Sequence, residues 1–195
     1  MSVPDVLQRI TGAFDRAGVA YMLTGSFASV YYGSPRSTQD IDFVIAATPA
    51  QLQAFIQGLP PTEYYVDADA ALDAQKRQSM FNVIDMKTGW KIDLIILKAR
   101  AFSQEEFSRR RRLSLEGTSL FIASVEDVIL AKLEWSKLAQ SRRQIEDAAG
   151  ILKLRAASLD FQYLDKWLNN LELTNEWHDL QHRARISASP KTLDE

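Results

Sequence analysis

The sequence predicts an α+β fold, in which a mixed sheet with flanking helices is followed by a region of helices alone. Residues 1 to about 122 alternate helical apolar spacing with short strand-like runs, whereas 124 to about 186 carry helical spacing only. Two strand-like runs also flank Lys87-Thr88-Gly89, which predicts a hairpin. We therefore expect a core domain over 1–122, a C-terminal helical region over 123–186 and a flexible tail over 187–195.

In the first half, an amphipathic helix comes first and ends at Gly18, since apolar residues recur at helical spacing before it. Further helices are expected after Gly25, after Thr48-Pro49 and over 68–78. About four or five strands are expected to form the sheet, from this set of apolar or alternating runs: 19–23, 41–45, 80–85 and 91–97, with short edge candidates at 113–115 and 120–122.

In the second half, the first helix is predicted to begin after Ser124, which suits an N-cap and has a carboxylate, Asp127, three residues on. Its apolar positions include Trp135, which we expect to pack in the core together with Trp167 and Trp177. Three more helices are predicted by the same spacing, over 142–154, 160–168 and 175–184.

Composition limits the chemistry of the chain. Its 195 residues suffice for a large apolar core, and they include no cysteine, which excludes disulfides, thiolate-bound metals and thiol nucleophiles. The two histidines, His178 and His182, lack an evident third ligand and are expected at the surface. Any metal site must therefore use carboxylate oxygens. The net charge of −2 argues against a globally basic nucleic-acid binder.

Signals for targeting are not evident in the sequence. The segment MSVPDVLQRI lacks the basic and apolar regions of a signal peptide, and no apolar stretch approaches the length of about 18 residues that a membrane span requires. The sequence therefore predicts a cytoplasmic protein with no membrane partner.

Asp40-Ile41-Asp42 is the first candidate for metal binding. Residues i and i+2 of a strand project from one face, about 7 Å apart at Cα, so both carboxylates can reach one hard cation. The pattern alone is weak, because fifteen Asp in this chain give roughly one such pair by chance. A second pair, Asp67-Ala68-Asp69, lies in an expected loop or helix start, where solvated carboxylates are normal.

Two neighbouring features distinguish the first pair. Upstream, Gly25-Ser26 lies between a predicted strand and a predicted helix, where glycine allows close approach of a ligand and the helix amides can bind phosphate. Downstream, Asp93 interrupts the apolar run KIDLIIL and needs a partner to be stable there. That partner would be a metal ion or a basic side chain; the alternative is that Asp93 lies at a strand edge.

Together these residues resemble the core of the DNA polymerase β-type nucleotidyltransferase superfamily: GSFASVYYGSPRSTQDIDFVI over 25–45, then the KIDLII strand. The segments Ser124-Val-Glu-Asp-Val-Ile-Leu-Ala-Lys132 and Arg143-Gln-Ile-Glu-Asp147 are similar to later motifs of the AbiEii-like nucleotidyltransferases, a group that includes toxins of type IV toxin–antitoxin systems. Arg36 matches the arginine that precedes the Asp pair in that group.

The resemblance implies a polymerase β-like core and an Mg²⁺-dependent enzyme that transfers a nucleoside monophosphate from an NTP to an acceptor hydroxyl. Asp40, Asp42 and Asp93 would be the catalytic residues and would bind two Mg²⁺ ions. The nucleotide would be bound by this set: Gly25, Ser26, Arg36, Lys132 and Asp147. For Lys132 a surface position is equally expected, and Asp147 could instead pair with Lys132 or Arg143.

The acceptor is open at this stage: a tRNA or other RNA 3′ end, a protein, or a small molecule such as an antibiotic. A cognate antitoxin is a further partner implied by the resemblance. Arg109–Arg112 could contact nucleic-acid phosphates, although a solvated helix face is favoured for such a run. The competing class is a non-catalytic nucleotide-binding or interaction protein that retains the fold.

Overall fold

The computed structural model describes residues 3–34, 37–38, 40–115 and 117–184, which form two compact units. The first unit comprises the described residues up to Ala28 and from 37 to Ser124, and the second comprises 29–34 and 125–184. The tail predicted over 187–195 lies outside the described residues. Among the described residues, no helix has both the length and the apolar character needed to cross a membrane.

Helices and strands alternate in the first unit. Its helices are α1 (Val3–Ala17), α3 (Pro49–Gln57), α4 (Ala68–Arg77) and α5 (Ala101–Ser108), while α2 (Gly25–Tyr32) begins in the first unit and ends in the second. Its strands are β1 (Ala20–Thr24), β2 (Asp40–Ala46), β3 (Tyr64–Val66), β4 (Met80–Asp85), β5 (Lys91–Ile96), β6 (Arg111–Leu115) and β7 (Thr118–Ile122).

These strands form one mixed sheet in the order β3-β4-β5-β2-β1-β7-β6. Strand β2 runs parallel to β5, and β1 runs parallel to β7, whereas the other pairs are antiparallel. The predicted α+β class is confirmed, but the described sheet has seven strands instead of four or five. Strand β3 was missed because three residues are too few to show an alternating pattern.

The core of the first unit contains an aromatic cluster. The ring of Phe14 on α1 lies 5.2 Å from that of Tyr21, 5.4 Å from that of Phe43 and 4.9 Å from that of Phe55, measured between centroids. All four side chains are buried. Since buried aromatic pairs add favourable ring contacts to their apolar area, this cluster fixes α1 and α3 against strands β1 and β2.

The second unit consists of α6 (Val125–Ala139), α7 (Arg142–Arg155), a 3₁₀ turn (Ala156–Ser158), α8 (Phe161–Asn170) and α9 (Thr174–Ala184), with the end of α2. Trp167 and Trp177 are buried as predicted, but the prediction for Trp135 was wrong, because its side chain is 53% exposed. The buried stripe of this part of α6 follows Ile129, Lys132, Leu133 and Ser136, and Trp135 lies to one side of it.

Two buried acids at the start of α6 hold the start of α8. The Tyr163 hydroxyl donates to Asp127 Oδ1 at 2.6 Å, and the Asp160 amide donates to Glu126 Oε1 at 3.1 Å. Asp160 itself caps α8 by accepting from the Tyr163 amide. The carboxylates that mark a helix start in the sequence therefore also link two helices of this unit.

A buried carboxylate also joins α1 to the β4–β5 hairpin. Asp85, fully buried at the end of β4, forms an ion pair with Arg9 and accepts from the Lys87 amide at 3.0 Å. Lys87 in turn pairs with Glu63 at 2.6 Å. Because a buried charge is stable only when it is paired, the ion pair with Arg9 stabilises Asp85 in the core.

We expect Asp85→Ala to lower the free energy of unfolding by about 3 kcal/mol, because it removes the buried partner of Arg9, which keeps its pair with Glu63 at 3.7 Å, and leaves the Lys87 amide without its acceptor. Urea unfolding measures the change. Asp73→Ala is the control, since Asp73 forms an exposed pair with Arg77 and its loss should cost less than about 1 kcal/mol. Equal costs for the two variants would contradict this account.

Candidate active site

The three carboxylates predicted from the sequence lie on one face of two adjacent parallel strands. Asp42 on β2 is in register with Asp93 on β5, and Asp40 is in register with Lys91. Because residues i and i+2 share a face and in-register neighbours stand side by side, these four residues form a polar quartet: Asp40, Asp42, Lys91 and Asp93. Asp93 is buried, Asp42 is half-buried and Asp40 is exposed.

Lys91 is the basic partner that Asp93 requires. Its Nζ lies 2.7 Å from Asp93 Oδ2. This hydrogen bond raises the pKa of Lys91 above its ordinary value, and the negative charges of Asp93, Asp40 and Asp42 add to the effect, whereas burial opposes it. Lys91 was not predicted as a site residue from the sequence, although its position two residues before Asp93 on a strand already places both on one face.

The second oxygen of Asp93 is in a different environment. Oδ1 is buried and has no hydrogen-bond partner within the described part of the chain. An unsatisfied buried carboxylate oxygen costs free energy. Strand β5 lies between β4 and β2, so water cannot reach Asp93 from a sheet edge. This oxygen is thus suited to accept a cation.

Gly25 and Ser26 lie directly against Asp42. Gly25 follows β1 with a φ of +62°, and a Cβ atom there would lie 2.8 Å from the Cβ of Asp42 and overlap its carboxylate. The Ser26 amide is 3.4 Å from Asp42 Oδ2. Only glycine combines this backbone conformation with so close an approach, and the first amides of α2 are thereby directed at the same face as the acids.

The donor set of the quartet suits a hard divalent ion such as Mg²⁺, which prefers carboxylate oxygens and water. Within the described residues, however, no three carboxylate or histidine groups stand close enough together to hold a metal ion. The ammonium of Lys91 lies on Asp93 in this arrangement. The unsatisfied oxygen of Asp93 and the register of Asp42 beside it still fit a cation.

The residues predicted from the later motifs lie in the second unit. Lys132 on α6 and Asp147 on α7 form an ion pair at 2.7 Å, and both are buried, at 4% and 6% exposure. Of the alternatives that the sequence left open, a surface lysine is therefore wrong, and Asp147 pairs with Lys132. Arg36 lies outside the described residues.

The arginine run does not form a helix face. Arg109 caps the end of α5, and Arg111 and Arg112 lie on β6, an edge strand, where both are exposed. The guanidinium of Arg110 stacks on the ring of Phe107, 4.2 Å from its centroid.

His178 and His182 are both exposed, as predicted.

No family model matches this sequence, and no curated protein matches it either. Solved structures do match. An antigenic nucleotidyltransferase-like protein from Paracoccidioides brasiliensis aligns with a TM-score of 0.56 and 16% identity, over 96% of this chain and 94% of that chain.

The antibiotic-resistance factor ANT(2'')-Ia aligns with a TM-score of 0.57 and 12% identity, over 94% of this chain and 97% of that chain. Its complex with adenylyl-2''-tobramycin aligns with a TM-score of 0.56 and 11% identity, over 87% and 96%. The chain thus has the fold of nucleotidyltransferase-like structures.

Gly25→Ala should destabilise the protein by about 2 kcal/mol or more, because a left-handed φ strains alanine by about 1–2 kcal/mol and the Asp42 carboxylate must also move. Gly89→Ala is the matched control. Gly89 has a φ of +75° but nothing within 4 Å of the added Cβ, so it carries the backbone strain alone. Urea unfolding of both variants measures the difference, and equal losses would contradict the proposed packing.

The Lys132–Asp147 pair should behave as a structural ion pair. Asp147→Ala leaves a buried lysine unpaired and is expected to cost about 3–5 kcal/mol of unfolding free energy, whereas Lys132→Met combined with Asp147→Leu should recover most of that loss. A double-mutant cycle in urea measures the coupling. If the single variant costs less than 1 kcal/mol, the pair does not stabilise this unit.

Proposed function

We propose that this chain is a nucleotidyltransferase that transfers a nucleoside monophosphate from an NTP to an acceptor hydroxyl and releases pyrophosphate. One observation carries the proposal: the register of Asp42 with Asp93, with Asp40 on the same face and Gly25-Ser26 packed against Asp42. The fold that the chain shares with nucleotidyltransferase-like structures supports it.

Asp40, Asp42 and Asp93 would hold two Mg²⁺ ions in this proposal. Bound there, Mg²⁺ would neutralise charge on the triphosphate and orient it for in-line attack. The acceptor oxygen forms a bond to the α-phosphorus as the bond from that phosphorus to the bridging oxygen of pyrophosphate breaks. Asp93 is proposed to take up the hydroxyl proton.

The phosphates are proposed to bind at the start of α2. The backbone around Gly25 lacks a side chain and Ser26 is the second residue of the helix, so amides and a hydroxyl of this turn can contact the β- and γ-phosphates. On the motif resemblance alone, Arg36 is proposed as a further nucleotide contact, and Lys132 and Asp147 are proposed to support nucleotide binding as an intact buried ion pair.

A small-molecule hydroxyl is the acceptor class that the comparisons favour. ANT(2'')-Ia, which aligns over nearly its whole length, was solved with adenylyl-2''-tobramycin, a nucleotidylated aminoglycoside. An RNA or protein acceptor, and a role opposite an antitoxin, rest on the similarity of 124–147 to the AbiEii-like motifs. The labelling experiment tests the RNA and the protein acceptor separately.

Incubation with each α-labelled NTP, Mg²⁺ and one acceptor class at a time, either aminoglycosides, total tRNA or cell-extract protein, should label one class and release pyrophosphate. Asp40→Ala and Asp93→Ala should reduce labelling by at least a thousand-fold, because each removes a charge that the reaction needs. Asp69→Ala is the matched control, since Asp69 belongs to the other Asp-x-Asp pair and lies in the first turn of α4.

Circular dichroism should show that the variants remain folded. Labelling that survives in Asp93→Ala would contradict the metal-site assignment. Binding of a nucleotide by the wild-type chain with no labelled product from any acceptor would instead favour a non-catalytic nucleotide-binding protein.

A further inference from the structure

A basic side chain of the chain itself lies on the carboxylate face. Lys91 precedes Asp93 by two residues on β5 and stands in register with Asp40, so its ammonium, which is bonded to Asp93, shares a face with Asp40 and Asp42. Like charges on adjacent strands destabilise a sheet, and a cation between them relieves that repulsion. The chain thus provides one positive charge on the face that is proposed to bind a divalent metal ion.

The ammonium of Lys91 is placed so that another cation could replace it. The Lys91 side chain is 39% exposed, so the ammonium can leave Asp93 and enter water, whereas the Asp93 side chain, at 8% exposure, then requires another cation. Lys132 and Asp147 provide the contrast within the same molecule. They are also 2.7 Å apart, but their side chains are 5% and 8% exposed, and separating them would bury an uncompensated charge.

Asp93 has one oxygen for each of two cations. Oδ2 accepts from Lys91, while Oδ1 is buried with no hydrogen-bond partner among residues 3–34, 37–38, 40–115 and 117–184. A divalent ion bound at Oδ1 would stand within a few ångströms of the ammonium. At that separation the two positive charges repel each other strongly.

We propose that Lys91 is the resident counter-ion of Asp40, Asp42 and Asp93, and that a divalent metal ion must compete with its ammonium to bind. The proposal rests on the metal site of the proposed function. Lys91 stabilises the metal-free acids and withdraws toward solvent when the metal binds. It therefore sets the metal concentration at which the site fills, as a positioning residue that does not touch the reacting atoms.

Calorimetric titration of Mn²⁺ into the full chain, without nucleotide, tests the proposal. Lys91→Met should bind Mn²⁺ about tenfold more tightly than wild type, because a competing charge is removed, and its metal-free melting temperature should fall by several degrees. Saturating Mn²⁺ should raise the melting temperature of Lys91→Met more than that of wild type. Lys91→Arg keeps the charge and should restore both properties.

Lys87→Met is the matched control. Lys87 lies in the turn of the same hairpin, pairs with Glu63 and is 44% exposed, so its replacement removes an equal charge away from the quartet. Its effect on Mn²⁺ affinity should be less than twofold. Asp93→Asn in the Lys91→Met background should abolish the tight binding and so assign it to the quartet.

The proposal is overturned if Lys91→Met binds Mn²⁺ with unchanged or weaker affinity while wild type binds through Asp93. Weaker binding would mean that Lys91 orients Asp93 for the metal. If neither wild type nor Lys91→Met binds Mn²⁺, the metal site of the proposed function fails together with this proposal, whereas failure of Lys91 alone leaves that function intact.

Discussion

The parallel register of β2 on β5 is the constraint on which the rest of the candidate site depends. It aligns Asp42 with Asp93 and Asp40 with Lys91, and it holds because the opposite face of both strands is buried. A shift of β2 by one residue would move Ile41 and Phe43 from the core to the polar face, and Asp40 and Asp42 into the core. The aromatic cluster around Phe14, which includes Phe43 of β2, therefore stabilises the arrangement of the acids as well as the fold.

The two lysine–aspartate pairs Lys91–Asp93 and Lys132–Asp147 show how burial of the lysine determines what an ion pair can do. Both pairs have the same residue types and the same 2.7 Å separation. Where both partners are buried, as at Lys132–Asp147, breaking the pair costs too much for it to exchange, so it ties α6 to α7. Where the lysine reaches solvent, as at Lys91, the ammonium can enter water, but the buried Asp93 still needs a positive charge, so the pair is proposed to open only when another cation takes its place.

The sequence predicted those parts of the structure that local patterns determine. Alternation identified β2, an apolar run identified β5, and the glycine after β1 marked the start of α2, so the three acids and Gly25-Ser26 could be nominated together. Strand β3 was missed because its pairing with β4, and not its own pattern, makes it a strand. The prediction for Trp135 was wrong because α6 buries only one stripe of residues. Trp135 lies beside that stripe, although it is apolar.

Lys91 was missed for a different reason, namely that the sequence shows charges but not which of them meet. Its pairing with Asp93 follows from strand geometry, yet its approach to Asp40 and Asp42 depends on which strand lies beside β5. The burial of Lys132 and Asp147 likewise depends on the packing of α6 on α7. The type of a residue can suggest that a charged group belongs to a site. Whether that group stays in its ion pair or can be replaced by another ion depends on the tertiary structure around it.

The contact between Gly25 and Asp42 has a consequence for how the proposed site would work. Because the α2 start packs directly on a carboxylate of the quartet, the backbone that is proposed to bind phosphate cannot move without moving Asp42. A cation drawn onto Asp42 and a triphosphate held at Ser26 would then bind to two elements, β2 and α2, that are in direct contact. Each would find the other's contacts already in place, so the two are expected to bind cooperatively.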